Sequence, residues 1–139
     1  MKRHLPLVSI LAALALVACG GPLRYELHGS PKTPEADAQI VADVNEETNT
    51  STLEIHIEHL APPARVQEGS NNYVVWYRKG SDGGWVRVGT LKYDEGDRLG
   101  EIAGVSVPLT TFELAITVEE AEAPESPSPH IIFSQTVSD

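Results

Sequence analysis

The chain of 139 residues holds one cysteine, Cys19, and one methionine, Met1. A single thiol forms no disulfide within the chain, so the fold has to stand on buried apolar surface. One domain of this size buries roughly two-thirds of the surface that its unfolded chain exposes, enough to fold without metal or disulfide support. Basic residues are scarce as well: Lys and Arg total 10 against 20 Asp and Glu, a net charge of −10. Beyond Lys2 and Arg3, eight cations face the same twenty carboxylates, and the net charge becomes −12. No cluster of Lys or Arg interrupts that acidity, which excludes nucleic acid and anionic headgroups as partners and leaves the charge to keep the domain soluble. No Ser or Thr stands in a Gly-flanked elbow and no second thiol is present, so nucleophilic catalysis has no obvious centre. No apolar run is long enough to span a bilayer; the longest, residues 5–18, has about 14 residues against the roughly 20 required.

That run has the length of a signal-peptide core, and Lys2, Arg3 and His4 supply the positive region in front of it. Pro6 near its start and Gly20, Gly21 and Pro22 after it argue against a buried helix of the folded domain. At its end stands Leu16-Val17-Ala18-Cys19. The four residues resemble the bacterial lipobox, in which a branched apolar residue at minus three and a small residue at minus one precede the cysteine. The resemblance implies that Cys19 takes a diacylglyceryl thioether, that the chain is cut just before it, and that the new amine is acylated. Two or three acyl chains at about 0.8 kcal/mol per buried methylene make such attachment to the membrane effectively permanent. The competing expectation is ordinary secretory cleavage, which leaves Cys19 a free thiol. Gly20 follows the cysteine, with no Asp there or beside it, and by the same resemblance this favours the outer over the inner membrane of a two-membrane envelope. Lipidation of Cys19 and removal of Met1 also eliminate a blue-copper centre, which needs a thiolate and usually an axial Met.

The spacing divides the chain into a signal peptide at residues 1–18, a lipidated cysteine and tether at 19–35, and a domain at 36–139. The tether is marked by Gly21, Pro22, Gly29, Ser30, Pro31 and Pro34, and fully extended it reaches at most about 50 Å. Within it, residues 23–28 form the one run suited to a first strand laid on the domain edge. Beyond residue 35 the hydrophobic period is two almost everywhere. Ala36, Ala38, Ile40, Ala42 and Val44 alternate with polar neighbours, then Leu53, Ile55 and Ile57 with Glu54, His56 and Glu58. Residues 72–78, NYVVWYR, are apolar on both faces, as in a central strand covered on each side. Ser81-Asp82-Gly83-Gly84 is a hairpin turn leading into a strand over 85–93. Asp94-Glu95-Gly96-Asp97 is a second turn, a weaker strand over 99–107 ends at Pro108, and Phe112, Leu114, Ile116 and Val118 alternate most regularly. A loop containing Pro124, Pro127 and Pro129 leads to a last strand over 130–137. The expected fold is all-β: an antiparallel, immunoglobulin-like β-sandwich of seven or eight strands, with a small barrel as the alternative.

Tyr73-Val74-Val75-Trp76-Tyr77, Gly83-Gly84-Trp85, Val88-Gly89-Thr90-Leu91 and the run Phe112-Glu113-Leu114-Ala115-Ile116-Thr117-Val118-Glu119 together resemble the extracytoplasmic C-terminal domain of anti-sigma-K factors. The likeness covers residues 53–137 and is closer still to small bacterial lipoproteins carrying this domain alone. It implies a β-sandwich on the outside of the cytoplasmic membrane. It implies no sigma-factor regulation, because no zinc-and-sigma-binding region and no spanning helix accompany the domain.

His56-Ile57-Glu58-His59 suggests a metal site, but residues three apart on a strand point to opposite faces, so His56 and His59 cannot share an ion unless the strand bends. Glu54, His56 and Glu58 do share a face, and a ligand from an adjacent strand would make them a weak zinc or copper binder. The expectation is instead a solvated acidic face, with no metal and no cofactor. Asp94 with Glu95, and Glu119 with Glu120, read as solvated pairs rather than as an acid and base. Trp85, Tyr77 and Tyr93 lie around one predicted hairpin, and an exposed patch containing them would bind a carbohydrate or peptide. Residues 121–129 read as a plain connection. The functional expectation is a lipid-anchored envelope lipoprotein whose domain is not an enzyme but a structural or interaction module, with an envelope protein or glycan as partner.

Overall fold

Apolar alternation becomes alternation of burial in the computed structural model, which describes residues 20–139. Ala38, Ile40 and Ala42 of β2 (Asp37–Asn45) and Leu53, Ile55 and Ile57 of β3 (Thr50–Glu58) are buried, while Gln39, Asp43, Thr52, Glu54 and Glu58 face outward. The turn between these strands is held by the Thr48 amide donating to Asn45 Oδ1, and Asn49 takes a left-handed backbone that Asn tolerates well.

Nine strands form two antiparallel sheets. Before β2 lies β1 (Leu23–His28), and after β3 come a single helical turn, α1 (Pro63–Val66), and then β4 (Asn72–Arg78), β5 (Val86–Thr90), β6 (Lys92–Asp94), β7 (Leu99–Val107), β8 (Phe112–Glu119) and β9 (Ile131–Val137). One sheet has the order β1-β2-β3-β7-β6 and the other β5-β4-β8-β9. Leaving β1 aside, these are the orders A-B-E-D and C′-C-F-G of an immunoglobulin-type sandwich. The expected architecture is therefore present, with nine strands in place of seven or eight.

Both additional strands have a physical reason. The first, β1, lies in the segment read as tether: it pairs with β2 from Leu23 opposite Ala42 to His28 opposite Asp37, with Leu23, Tyr25 and Leu27 packed on the core. The loop after it is folded too, with the Gly29 amide bonded to the Ala36 carbonyl and Thr33 buried. Only Gly20, Gly21 and Pro22 then separate Cys19 from the domain, a reach of about 13 Å instead of about 50 Å. The second arises because the run 85–93 changes sheets. At Leu91, whose amide bonds the Tyr73 carbonyl and whose side chain is buried, the chain leaves β4 and joins β7. The apolar alternation slips by one position here, from Val86 and Val88 to Leu91 and Tyr93, and the β4–β5 pairing carries a register shift as well.

Strand β4 is covered on both faces, as its sequence requires: Tyr73, Val74, Val75 and Trp76 are all fully buried. Tyr73 and Val75 enter the core between the sheets. Val74 and Trp76 alternate with them and point to the opposite face of the sheet, where they are nonetheless buried, and the chain after β8 reaches as far as β5. The Thr90 hydroxyl on β5 donates to the Glu122 carbonyl, although β5 is separated from β8 by β4.

Candidate interaction surfaces

The three aromatic residues expected to form one patch are pulled apart by strand geometry. Tyr77 pairs with Val86, which puts Trp85 opposite Arg78. Neighbours on a strand point to opposite faces, so Trp85 and Tyr77 separate. Tyr77 turns inward to meet Phe112 edge-on, with ring centroids 6.3 Å apart. Tyr93 belongs to the other sheet, where its hydroxyl donates to the Leu60 carbonyl at 2.6 Å and its ring meets that of Tyr73. The predicted aromatic patch of Trp85, Tyr77 and Tyr93 is thus not formed.

Trp85 takes different company. The Arg78 guanidinium lies 4.4 Å from its ring centroid, and Arg78 Nε donates to Glu113 Oε2 at 2.5 Å. Arg78 and Glu113 pair across β4 and β8, so the ion pair is a cross-strand contact, and both side chains are largely covered. Beside them runs a groove of about 480 Å³ that continues along Ile131, Ser134 and Thr136 of β9.

The histidines meet carboxylates across strands. His56 Nε2 lies 3.4 Å from Glu58 and its Nδ1 3.5 Å from Glu101, the residue paired with it on β7. Glu54 lies opposite Val41 and Ala103 and joins neither contact. Among the described residues, no three His, Cys, Asp or Glu side chains are grouped to hold a metal ion. His59, with a left-handed backbone at the end of β3, turns to Asp37 at 3.2 Å, and His28 reaches the other oxygen of the same carboxylate at 2.9 Å. The hydrogen bond to Asp37 raises the His28 pKa above its ordinary 6.5, and the bonds to His28 and His59 lower that of Asp37 below its ordinary 3.8. The His28 contribution is complete below about 6.5 and fades as pH rises through its raised value. The Asp37 contribution is complete above about 3.8 and fades as pH falls through its lowered value. The pair is therefore fully charged between them. Asp37→Asn is expected to move the His28 midpoint down toward 6.5, read from its imidazole NMR shifts against pH; an unmoved midpoint refutes the pairing.

The acidic end of β8 departs most from expectation. Glu120 is solvated, but Glu119 is only 6% exposed. The Trp76 indole donates to Thr117 Oγ1 at 2.8 Å, the Thr117 hydroxyl donates to Glu119 Oε1 at 2.6 Å, and the Ser128 amide donates to the same oxygen at 2.7 Å. Ser128 Oγ completes the attachment by donating to the Val118 carbonyl. Residues 121–129, read as a plain connection, are thus bonded to β8 at one end and to β5 at Glu122. Two tyrosines do similar work on the segment after β3. Tyr73 donates to the Ala61 carbonyl as Tyr93 does to Leu60, and burial raises both phenol pKa values.

No protein-family model, no curated protein and no solved structure matches the chain. The sequence-predicted lipidation site, Cys19, and the lipobox residues Leu16, Val17 and Ala18 lie outside the described residues.

Proposed function

We propose that the chain is an exported lipoprotein, anchored in the cell envelope through acylated Cys19, whose β-sandwich serves as a non-catalytic interaction module. The single observation that carries this is the lipobox Leu16-Val17-Ala18-Cys19 at the end of a signal-length apolar core. The short distance from Cys19 to β1 supports it: three residues hold the sandwich against the surface in which the lipid sits. Gly20 after the cysteine favours the outer membrane. The resemblance to envelope lipoproteins with an anti-sigma-K-type domain agrees with the same location. The hydroxyl and carboxylate groups of Tyr73, Thr117 and Glu119, which are buried, and of Tyr93, which is partly covered, are engaged in fastening loops, which supports a scaffold rather than a reaction centre.

A second reading, a module binding carbohydrate or peptide, is favoured by the groove beside Trp85. Its volume lies within the range of about 300–1,000 Å³ usual for small-ligand sites, and an indole with a guanidinium and a carboxylate suits a polar ligand with an apolar face. Crosslinking in intact envelopes followed by mass spectrometry tests the interaction reading. A discrete partner recovered with the wild-type chain is the expected result, and a reproducible blank counts against it.

A further inference from the structure

The two sheets end in four edge strands, β1 and β6 in one, β5 and β9 in the other. An exposed edge offers unpaired backbone groups to any passing strand, and native proteins blunt it with charge, brevity or proline. Strand β1 carries Arg24, Glu26 and His28 and follows Pro22; β5 carries Arg87; β6 has three residues, two of them charged. Only β9, IIFSQTV, has seven residues with no charge, glycine or proline. Its irregularity lies near its start, between the pairs Ile116–Phe133 and Thr117–Ile131, and from Phe133 to Val137 the register with β8 is regular. At that edge Ile131 is 42% exposed, one of two exposed large hydrophobic residues among the described ones.

Both flanks of β9 are hollow. On the outer side lies the groove with Trp85, Arg78, Glu113 and Thr136. On the other, where β9 faces β1 across the open side of the sandwich, a groove of about 540 Å³ is lined by Leu27, Ile132 and Phe133 together with the polar Glu26, His28 and Ser30. A strand added to β9 would send successive side chains to opposite sides, one set into each groove.

Resting on the interaction-module reading, we infer that β9 is a docking edge for an extended segment of another protein, with apolar residues at alternate positions and Lys or Arg beside the paired stretch. Charge selects this occupant. Within the outer groove Arg78 and Glu113 cancel, so the paired stretch is neutral, while the −12 of the chain beyond Lys2 and Arg3 attracts basic flanks and opposes a second copy of itself.

The test is a random dodecamer display library selected against the full chain in detergent micelles. Enriched peptides should show apolar residues at every second position with basic ends, and hydrogen exchange of the β9 amides should slow when such a peptide is added. Ile131→Lys with Ser134→Lys should weaken binding by about 10-fold or more, whereas the same charge added by Gln39→Lys with Thr52→Lys on the other sheet should not. Absence of enrichment, a helical spacing, unchanged β9 exchange, or equal binding by both double variants overturns the inference. Dimerisation of the peptide-free chain that the β9 variant abolishes also overturns it, by giving the edge to a second copy. A failed selection leaves the anchored-module reading in place, since envelope crosslinking decides that separately.

Discussion

In cells fed labelled palmitate, the wild-type chain is expected to take up label and Cys19→Ser to take up none. In the lipobox scheme the diacylglyceryl group is attached through a thioether, and serine offers no sulfur to form it. Because cleavage follows lipidation in the lipobox scheme, the variant should also keep residues 1–18 and run as a heavier species. Label and mass are therefore the proper readouts. Membrane fractionation is not, since an uncut apolar segment of about 14 residues retains some affinity for lipid. If the label is taken up, the consequence for attachment is large. One myristoyl-sized chain alone gives only reversible binding with an association constant of about 10⁴ M⁻¹, and a second chain makes release negligible. Equal labelling of both proteins, or of neither, would sink the anchor and with it the proposed location.

Trp76→Ala is expected to cost about 3–5 kcal/mol, the usual loss for deleting a fully buried large aromatic. Against a total stability of about 5–15 kcal/mol this lowers the melting temperature by about 10–20 °C. Two losses combine. The ring leaves a cavity on the outer face of β4, and its indole no longer donates to Thr117, which weakens the chain of hydrogen bonds through Glu119 to Ser128. Trp76→Phe separates the two, because it keeps most of the ring and removes the donor; about 1–2 kcal/mol is expected from it. The loop should report the same event, with hydrogen exchange at Ser128 accelerating in both variants. Thermal melts within about 1 kcal/mol of wild type for Trp76→Ala would refute the packing described for this face.

The legible part of the fold is the part governed by neighbours in sequence. Alternation placed β2, β3, β7, β8 and β9 to within a residue or two, and the two-sided apolarity of residues 72–78 correctly announced a strand covered on both faces. The misread surfaces have specific causes. Tyr77 and Trp85 looked adjacent because a hairpin joins them, but register sets Trp85 opposite Arg78, one residue away from Tyr77 and hence on the other face. Glu119 looked solvated because it sits beside Glu120. Its burial depends on Ser128, nine residues further on, returning its amide to the carboxylate.

By itself the sequence determined the strand content and the faces most strands bury, and it raised the lipobox-like run ending at Cys19 as an expectation, all of which depend on residues within a few positions of one another. Only the tertiary structure decided that Leu91 changes sheets, that β1 leaves three residues between Cys19 and the first strand, that the loop after β8 returns its Ser128 amide to Glu119, and that β9 ends as an uncharged edge between two grooves. The reason is that these features arise from pairings between distant segments, and a period of two specifies that a residue turns inward without specifying what it will meet there.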